Sequence, residues 1–263
     1  MSFRISTAVI LAAGLGVRLG PLGRLIPKGF IRLGETPIIC ESLASLLDAG
    51  VRRVVVVTGH LAHHYDCLPE SLGRHVELVH NAEYFRSGSM YSLYCAREKL
   101  EGDFILLESD IIYERRALDA LVQSPQADLV VVSGRTSAGD EVFVETEGER
   151  LVNLSKDRAV LGPVVSGEFI GVSRISRRLF RRMLDWAATK WPVTLQVSYE
   201  TDCLAALAGD HPIYCRLIEN LIWAEIDDAK QLARARYEVY PAIQSKRGQT
   251  TSLLPRSNCP AQP

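Results

Sequence analysis

Ala8-Val9-Ile10-Leu11-Ala12-Ala13-Gly14-Leu15-Gly16-Val17-Arg18-Leu19-Gly20-Pro21, closed by Pro27-Lys28, sets the architecture of this chain. Residues Ile5 to Leu11 are mostly apolar, with Val and Ile among them. A short apolar run bounded by glycines predicts a central β-strand covered on both faces. Ala12, Ala13, Gly14 and Gly16 then make a loop with almost no side chains. Backbone N–H groups of such a loop approach a phosphate chain closely. Arg18 and Lys28 place fixed positive charge beside it, one as a planar fork and one as a point charge.

Two familiar phosphate loops are excluded by the letters. The Walker loop needs Gly-Lys-Ser/Thr after its gap, and none follows. The dinucleotide fingerprint needs a third glycine where this chain has Leu19,. The second strand, Val54-Val55-Val56-Val57-Thr58-Gly59-His60, also ends without an acid. A turn kept glycine-rich for packing alone would leave the two cations and the proline of this loop unexplained.

At these residues the chain resembles the nucleotidyltransferases that activate sugar phosphates, phosphocholine and phosphonates. The pattern L-A-A-G-x-G-x-R-L-x-P-L matches Leu11 to Leu22 in register, and Pro27-Lys28 follows, with ten residues from Arg18 to Lys28. One departure is Gly23, where the family usually has Thr. The resemblance implies that Leu11, Ala12, Ala13, Gly14 and Gly16, with Thr58 and Gly59, hold a nucleotide. It also implies that Arg18 contacts the phosphates and Lys28 steadies the reacting ones. It covers about residues 5–237.

The 263 residues suffice for one large α/β domain or two small ones,. Thirty Lys and Arg nearly cancel thirty-one Asp and Glu, and no basic run stands out, which argues against nucleic acid as a partner,. The six cysteines are scattered without a C-x-x-C. That fits reduced thiols in a cytoplasmic protein better than a disulfide framework. No apolar segment is long enough to cross a bilayer, so no membrane partner is expected.

Along the chain, Thr36-Pro37 predicts a helix start, with Thr36 as N-cap, and Gly50 its end. Strands are expected over 53–58 and 75–80, and the β-α-β-α-β order implies parallel pairing with right-handed crossovers. Asn81 to Leu93 reads as a polar loop entering a helix, with Ser89 as N-cap. Ser87-Gly88-Ser89-Met90-Tyr91-Ser92-Leu93 resembles small-acceptor cytidylyltransferases, in which this segment lines base and ribose; an ordinary capped helix fits the same letters. Phe104 to Leu107 is a buried strand ending in Glu108-Ser109-Asp110, and carboxylates there sit where α/β sheets bind ligands.

Residues 141–145 and 150–154 read as a hairpin turned at Glu147-Gly148-Glu149. Strands are expected over 165–172 and 212–217, and helices over 176–188, 194–207 and from Asp228 through Tyr237. His60, His63, His64 and Cys67 invite a zinc reading, but no second ligand pair lies nearby. From Pro241 onward the composition reads as a disordered tail.

The resulting expectation is one three-layer α/β/α Rossmann-like nucleotidyltransferase domain over 1–240, with a mostly parallel, twisted, mixed sheet, and a tail over 241–263. The resemblance implies a Mg²⁺ site from Asp110 and Asp227, nucleotide contacts from Ser87, Gly88, Ser89 and Glu108, and an acceptor-phosphate contact from Lys156. The alternatives are a helix cap at Asp110, Asp227 or Asp228 and a surface lysine at Lys156. The expected reaction is CMP transfer from CTP to 2-aminoethylphosphonate or a related small phosphonate, with phosphocholine as the other acceptor. An ammonium would want Glu168, Glu200 and Asp202; a trimethylammonium would want an aromatic cage of Tyr199, Trp191 and Trp223. A non-catalytic nucleotide-binding protein on the same fold, and a homodimer, stay open as expectations.

Overall fold

Thr7–Ala12 forms the first strand, β1, with five of its six residues buried. The computed structural model describes residues 5–247. In chain order there follow α1 (Pro21–Leu25), α2 (Ile38–Asp48), β2 (Arg53–Thr58), α3 (Cys67–Leu72), β3 (Val76–His80), α4 (Ser89–Cys95), β4 (Phe104–Glu108) and β5 (Ile111–Tyr113). Next come α5 (Arg116–Gln123), β6 (Leu129–Ser133), β7 (Phe143–Glu147), β8 (Arg150–Ser155), β9 (Val165–Ile175) and α6 (Arg177–Ala188). A π-helical turn, Tyr199–Leu204, then runs into α7 (Ala205–Leu207). The last elements are β10 (Tyr214–Ile218), β11 (Trp223–Glu225), α8 (Ala229–Arg234) and α9 (Tyr240–Arg247).

Nine strands make the main sheet in the order β3-β2-β1-β4-β9-β6-β10-β8-β7. β3, β2, β1 and β4 are parallel, as are β6 and β10. β9 enters antiparallel between β4 and β6, so the sheet is mixed beyond β4. β5 and β11 form a separate antiparallel ribbon.

The pleat explains the layers. Val9 and Leu11 of β1, with Val55, Val57, Phe104 and Leu106, face α4 and α6 through Met90, Leu93, Leu179 and Met183. Ala8, Ile10 and Ala12, with Val54, Val56, Ile105 and Leu107, face α2 and α5 through Leu43, Leu46, Leu118 and Leu121. Alternate residues of each central strand therefore bury against opposite helix layers, which is why those strands read as unbroken apolar runs. The expected three-layer arrangement is present.

Several boundaries differ from the sequence expectation. Pro37, not Thr36, occupies the N-cap of α2. Gly88 caps α4, and Ser89 is its first helical residue. A Cβ on Gly88 would lie 2.3 Å from the Val197 carbonyl oxygen, so close backbone approach selects glycine there. That approach also explains why 194–198 is not helical: Gly88 and Met90 donate their amides to the carbonyls of Leu195 and Val197. The helix starts at Tyr199, with Ser198 Oγ accepting from the amides of Thr201 and Asp202. Cys67, Cys95, Cys203 and Cys215 are free thiols, whereas Cys40 is disulfide-bonded, against the expectation of reduced thiols.

The helical end continues beyond 240. Ile243 of α9 is 2% exposed, Tyr240 Oη donates to Glu41, and Lys246 pairs with Glu114 at 2.7 Å. Residues 241–247 thus belong to the packed structure rather than to a disordered tail. The tail expected over 248–263 lies outside the described residues.

Candidate active site

The loop after β1 lies at the carboxyl ends of the parallel strands, the usual ligand edge of such sheets. Gly16 adopts φ 63°, the left-handed region that glycine tolerates without strain,. A Cβ on Gly23 would sit 2.2 Å from the Gly16 carbonyl oxygen. The departure to glycine at position 23 is therefore matched to this loop: the chain approaches itself too closely for Thr. His60 Nε2 lies 2.9 Å from the Gly23 carbonyl oxygen and ties the turn to the end of β2. Gly59 packs equally tightly; its Cβ would meet Tyr84 Cβ at 2.5 Å. Thr58 is buried beside it.

Arg18 and Lys28 reach from this segment to the acids. Lys28 Nζ donates to Asp110 Oδ2 at 2.6 Å and also to Asp227 Oδ1. Arg18 donates to Asp227 Oδ2 and, at 3.1 Å, to Asp140 Oδ2. Asp110 follows β4 and Asp227 follows β11. The β5/β11 ribbon joins them, with Glu225 opposite Ile111 and the Ile226 amide donating to the Asp110 carbonyl. Asp228 instead caps α8, accepting from the Gln231 amide. The structure thus brings together Arg18, Lys28, Asp110 and Asp227 as expected. Burial works against ionisation of Asp227, yet Lys28 and Arg18 bring its pKa down to about 2.

Three further acids join the group. Oxygens of Glu108, Asp110 and Glu225 lie within 4.8 Å of one another, and so do those of Asp140, Glu225 and Asp227. An all-carboxylate set fits a hard divalent cation and not zinc. The position also already accepts positive charge, from Lys28. Burial, with Glu200 and Asp110 nearby, pushes Glu108 up to about 8. Burial, with Glu108 and Asp110 nearby, holds Glu225 well above the usual carboxylate range.

The sequence reading missed Glu225 and Asp140. Glu225 stands two residues before Asp227, as Glu108 stands two before Asp110, and strand alternation puts such pairs on one face. That signal was in the letters. Asp140 lies in the 134–142 loop, where no periodicity marks it. Asn81, fully buried, was missed as well: its amide donates to Ser87 Oγ and Ser92 Oγ, each at 3.0 Å, and so shapes the segment expected at the base.

The residues expected at the acceptor divide. Glu200 is met by Ser89 Oγ at 3.2 Å, and the Lys156 charge favours its ionised form while burial raises its pKa. Tyr199 is fully buried and donates from Oη to Glu108 Oε1 at 2.9 Å. Glu168 and Trp223 line a small pocket with Asp140 and Glu225, but their polar atoms are committed. Glu168 accepts from Thr136 N at 2.8 Å and Thr136 Oγ1 at 2.7 Å, anchoring the 134–140 loop. Trp223 Nε1 donates to Ser133 Oγ at 2.7 Å. Asp202 accepts from the Ser198 amide at the helix start. Trp191 packs on Tyr91 and Tyr94, so Trp191, Tyr199 and Trp223 do not form one cage.

Known proteins resemble this arrangement. The model of the MobA-like NTP transferase domain matches residues 8–261. The CMP-5'-(3-aminopropyl)phosphonate synthase of Streptomyces rubellomurinus is 30% identical over 91% of this chain and 40% of its own length. The 2-aminoethylphosphonate cytidylyltransferase of Lancefieldella rimae is 33% identical over 57% of this chain and 61% of its own. The choline-phosphate cytidylyltransferase of Streptococcus pneumoniae is 31% identical over 44% of this chain and 50% of its own. The chain thus spans about half the length of the curated relatives it matches. Among solved structures, the inositol-1-phosphate CTP transferase of T. maritima superposes with TM-score 0.79 at 20% identity, over 96% of this chain and all of that one. That likeness carries the fold. With the matching family model and the glycine loop, cations and acids in one cleft, the chain belongs to the family of MobA-like NTP transferase domains.

Proposed function

We propose that this protein transfers CMP from CTP to a small aminoalkylphosphonate, of which 2-aminoethylphosphonate is the preferred candidate. A phosphonate oxygen attacks the α-phosphorus, the bond from that phosphorus to the bridging oxygen of the β-phosphate breaks, and pyrophosphate leaves. The attacking oxygen is already anionic, so no general base is required. The difficulty is bringing two anions together, and Arg18 and Lys28 from the loop side and Lys156 from the acceptor side supply compensating charge. Leu11 to Gly16 and Ser87 to Ser89 cradle the nucleotide. Asp110 and Asp227 would hold Mg²⁺, which when bound neutralises phosphate charge.

One observation supports the amine. Asp110, Asp140 and Asp227 are met by Lys28 or Arg18, whereas Glu108, Glu200 and Glu225 carry no ion pair among the described residues. The Tyr199 hydroxyl donates to Glu108, and Glu200 is met by the hydroxyls of Ser89 and Ser198 and a backbone amide, with no cation in direct contact among the described residues. Partly buried acids whose ionised form lacks a cation favour a ligand that brings its own, with N–H donors,. Glu200 stays as an amine contact, and Glu108 and Glu225 take the place of Glu168 and Asp202. The relatives named for aminoalkylphosphonates support the same reading. Cytoplasmic residence belongs to this proposal too, supported by the four free thiols and opposed by the disulfide at Cys40.

The test is pyrophosphate release with CTP and a panel of acceptors. An aminoalkylphosphonate should exceed its hydroxyethyl analogue in kcat/KM by roughly tenfold or more. Preference for phosphocholine would replace this acceptor with the trimethylammonium one. CTP binding without turnover on any acceptor would support the non-catalytic reading.

A further inference from the structure

Asp227 has both carboxylate oxygens occupied by cations of this chain: Oδ1 by Lys28 and Oδ2 by Arg18. The Lys28 ammonium simultaneously holds Asp110 Oδ2 at 2.6 Å. It therefore sits between the two acids that the proposed function assigns to a divalent cation, a reading on which this inference rests. The Asp227 side chain is 4% exposed and that of Lys28 15%, so water screens this bridge little,. The stem of Lys28 lies along the phosphate loop, its Cγ 3.6 Å from where a Gly16 Cβ would be. The same ammonium is thus within a side-chain swing of two anionic sites, the acids and the loop that takes a triphosphate.

We propose that Lys28 is a place-holder: in the free protein it closes the Asp110–Asp227 gap against divalent cations, and an arriving triphosphate draws it off. Withdrawing it alone would leave the buried Asp110 carboxylate without a cation and Asp227 with Arg18 only, which is costly,. Release of Lys28 is therefore tied to entry of replacement positive charge. Nucleotide and metal then bind with positive coupling, each raising the affinity for the other. The acid pair takes no metal in advance, and the lysine moves to the phosphates as the site fills. The device is independent of which acceptor is used.

The test measures binding of Mn²⁺ alone to the full chain, without nucleotide, by electron paramagnetic resonance titration. Lys28→Met should bind Mn²⁺ about tenfold more tightly than wild type. Lys156→Met, which removes a cation of the same cleft without opening the acid gap, should change the affinity far less. Equal affinity in wild type and Lys28→Met overturns the proposal. So does an equal gain in Lys156→Met, since general charge would then explain the effect. A second measurement avoids reliance on a variant's folding. Wild-type crystals soaked in Mn²⁺ without nucleotide should show Lys28 still between the acids and no anomalous peak there; a peak in the gap overturns the idea.

Discussion

The Ile226 amide donates to the Asp110 carbonyl across 3.0 Å, and this backbone bond sets Asp110 and Asp227 side by side. The acids are thus positioned by a two-stranded ribbon rather than by the main sheet. Their geometry depends on the β5/β11 register, and a one-residue slip there would turn Asp227 to the other face.

Asp110→Asn and Asp227→Asn should each remove most turnover while the fold persists, as read by circular dichroism and pyrophosphate release. Asp227 is ionised far more readily in the folded state, so its contribution is present above the ordinary carboxylate pKa and is lost as pH falls toward about 2,. In urea melts wild type should exceed Asp227→Asn by an amount on the order of 2 kcal/mol at pH 6. That gap should close as the pH is lowered through 4 toward 2.

Gly23→Thr restores the residue the resemblance leads one to expect, and should nonetheless do harm. A β-carbon there would overlap the Gly16 carbonyl. The loop must shift, at about 1–3 kcal/mol. Thermal melts should show that loss, and KM for CTP should rise. An unchanged KM would remove this contact from nucleotide binding.

Arg18→Lys keeps the charge but loses the fork that spans Asp227 and Asp140,. Its kcat should fall by roughly tenfold or more, and Lys28→Ala should cost at least as much. Unchanged kcat/KM in Lys28→Ala would remove that lysine from the chemistry.

Glu200→Gln should separate stability from function. Burial raises the Glu200 pKa, so the folded state binds its proton more tightly than the unfolded chain does. Stability from that group is present below the ordinary carboxylate value and fades as pH rises toward the raised one. The neutral variant should therefore melt higher than wild type at pH 8. Its discrimination between aminoethyl and hydroxyethyl phosphonates should shrink. Glu168→Gln, by contrast, should loosen the 134–140 loop and leave that discrimination in place.

Much of this was legible because it is local or periodic. The apolar runs at 54–57 and 104–107 announce buried strands, and the spacing from Gly14 to Lys28 marks the phosphate loop. The remainder depends on contacts that letters do not carry. Glu168 reads as a free acid, and only the fold reveals that Thr136 takes both of its oxygens. Trp223 looks available for a cation, yet the fold leaves it only 8% exposed, with its indole N–H fixed by Ser133. Residues 194–198 look helical, yet backbone bonds from Gly88 and Met90 to the carbonyls of Leu195 and Val197 hold them out of a helix. In each case a partner distant in sequence overrides the local preference.

The ribbon also dictates when the site can exist during synthesis. Arg18 and Lys28 lie within the first ninth of the chain, but Asp227 lies over a hundred residues beyond Asp110. Under the proposed function, a growing chain displays its phosphate loop long before it owns the acid pair, and turnover waits until β11 pairs with β5. Such late, long-range closure is slow for a folding chain. Catalytic competence should consequently appear as the final step of maturation, after the parallel sheet is already built.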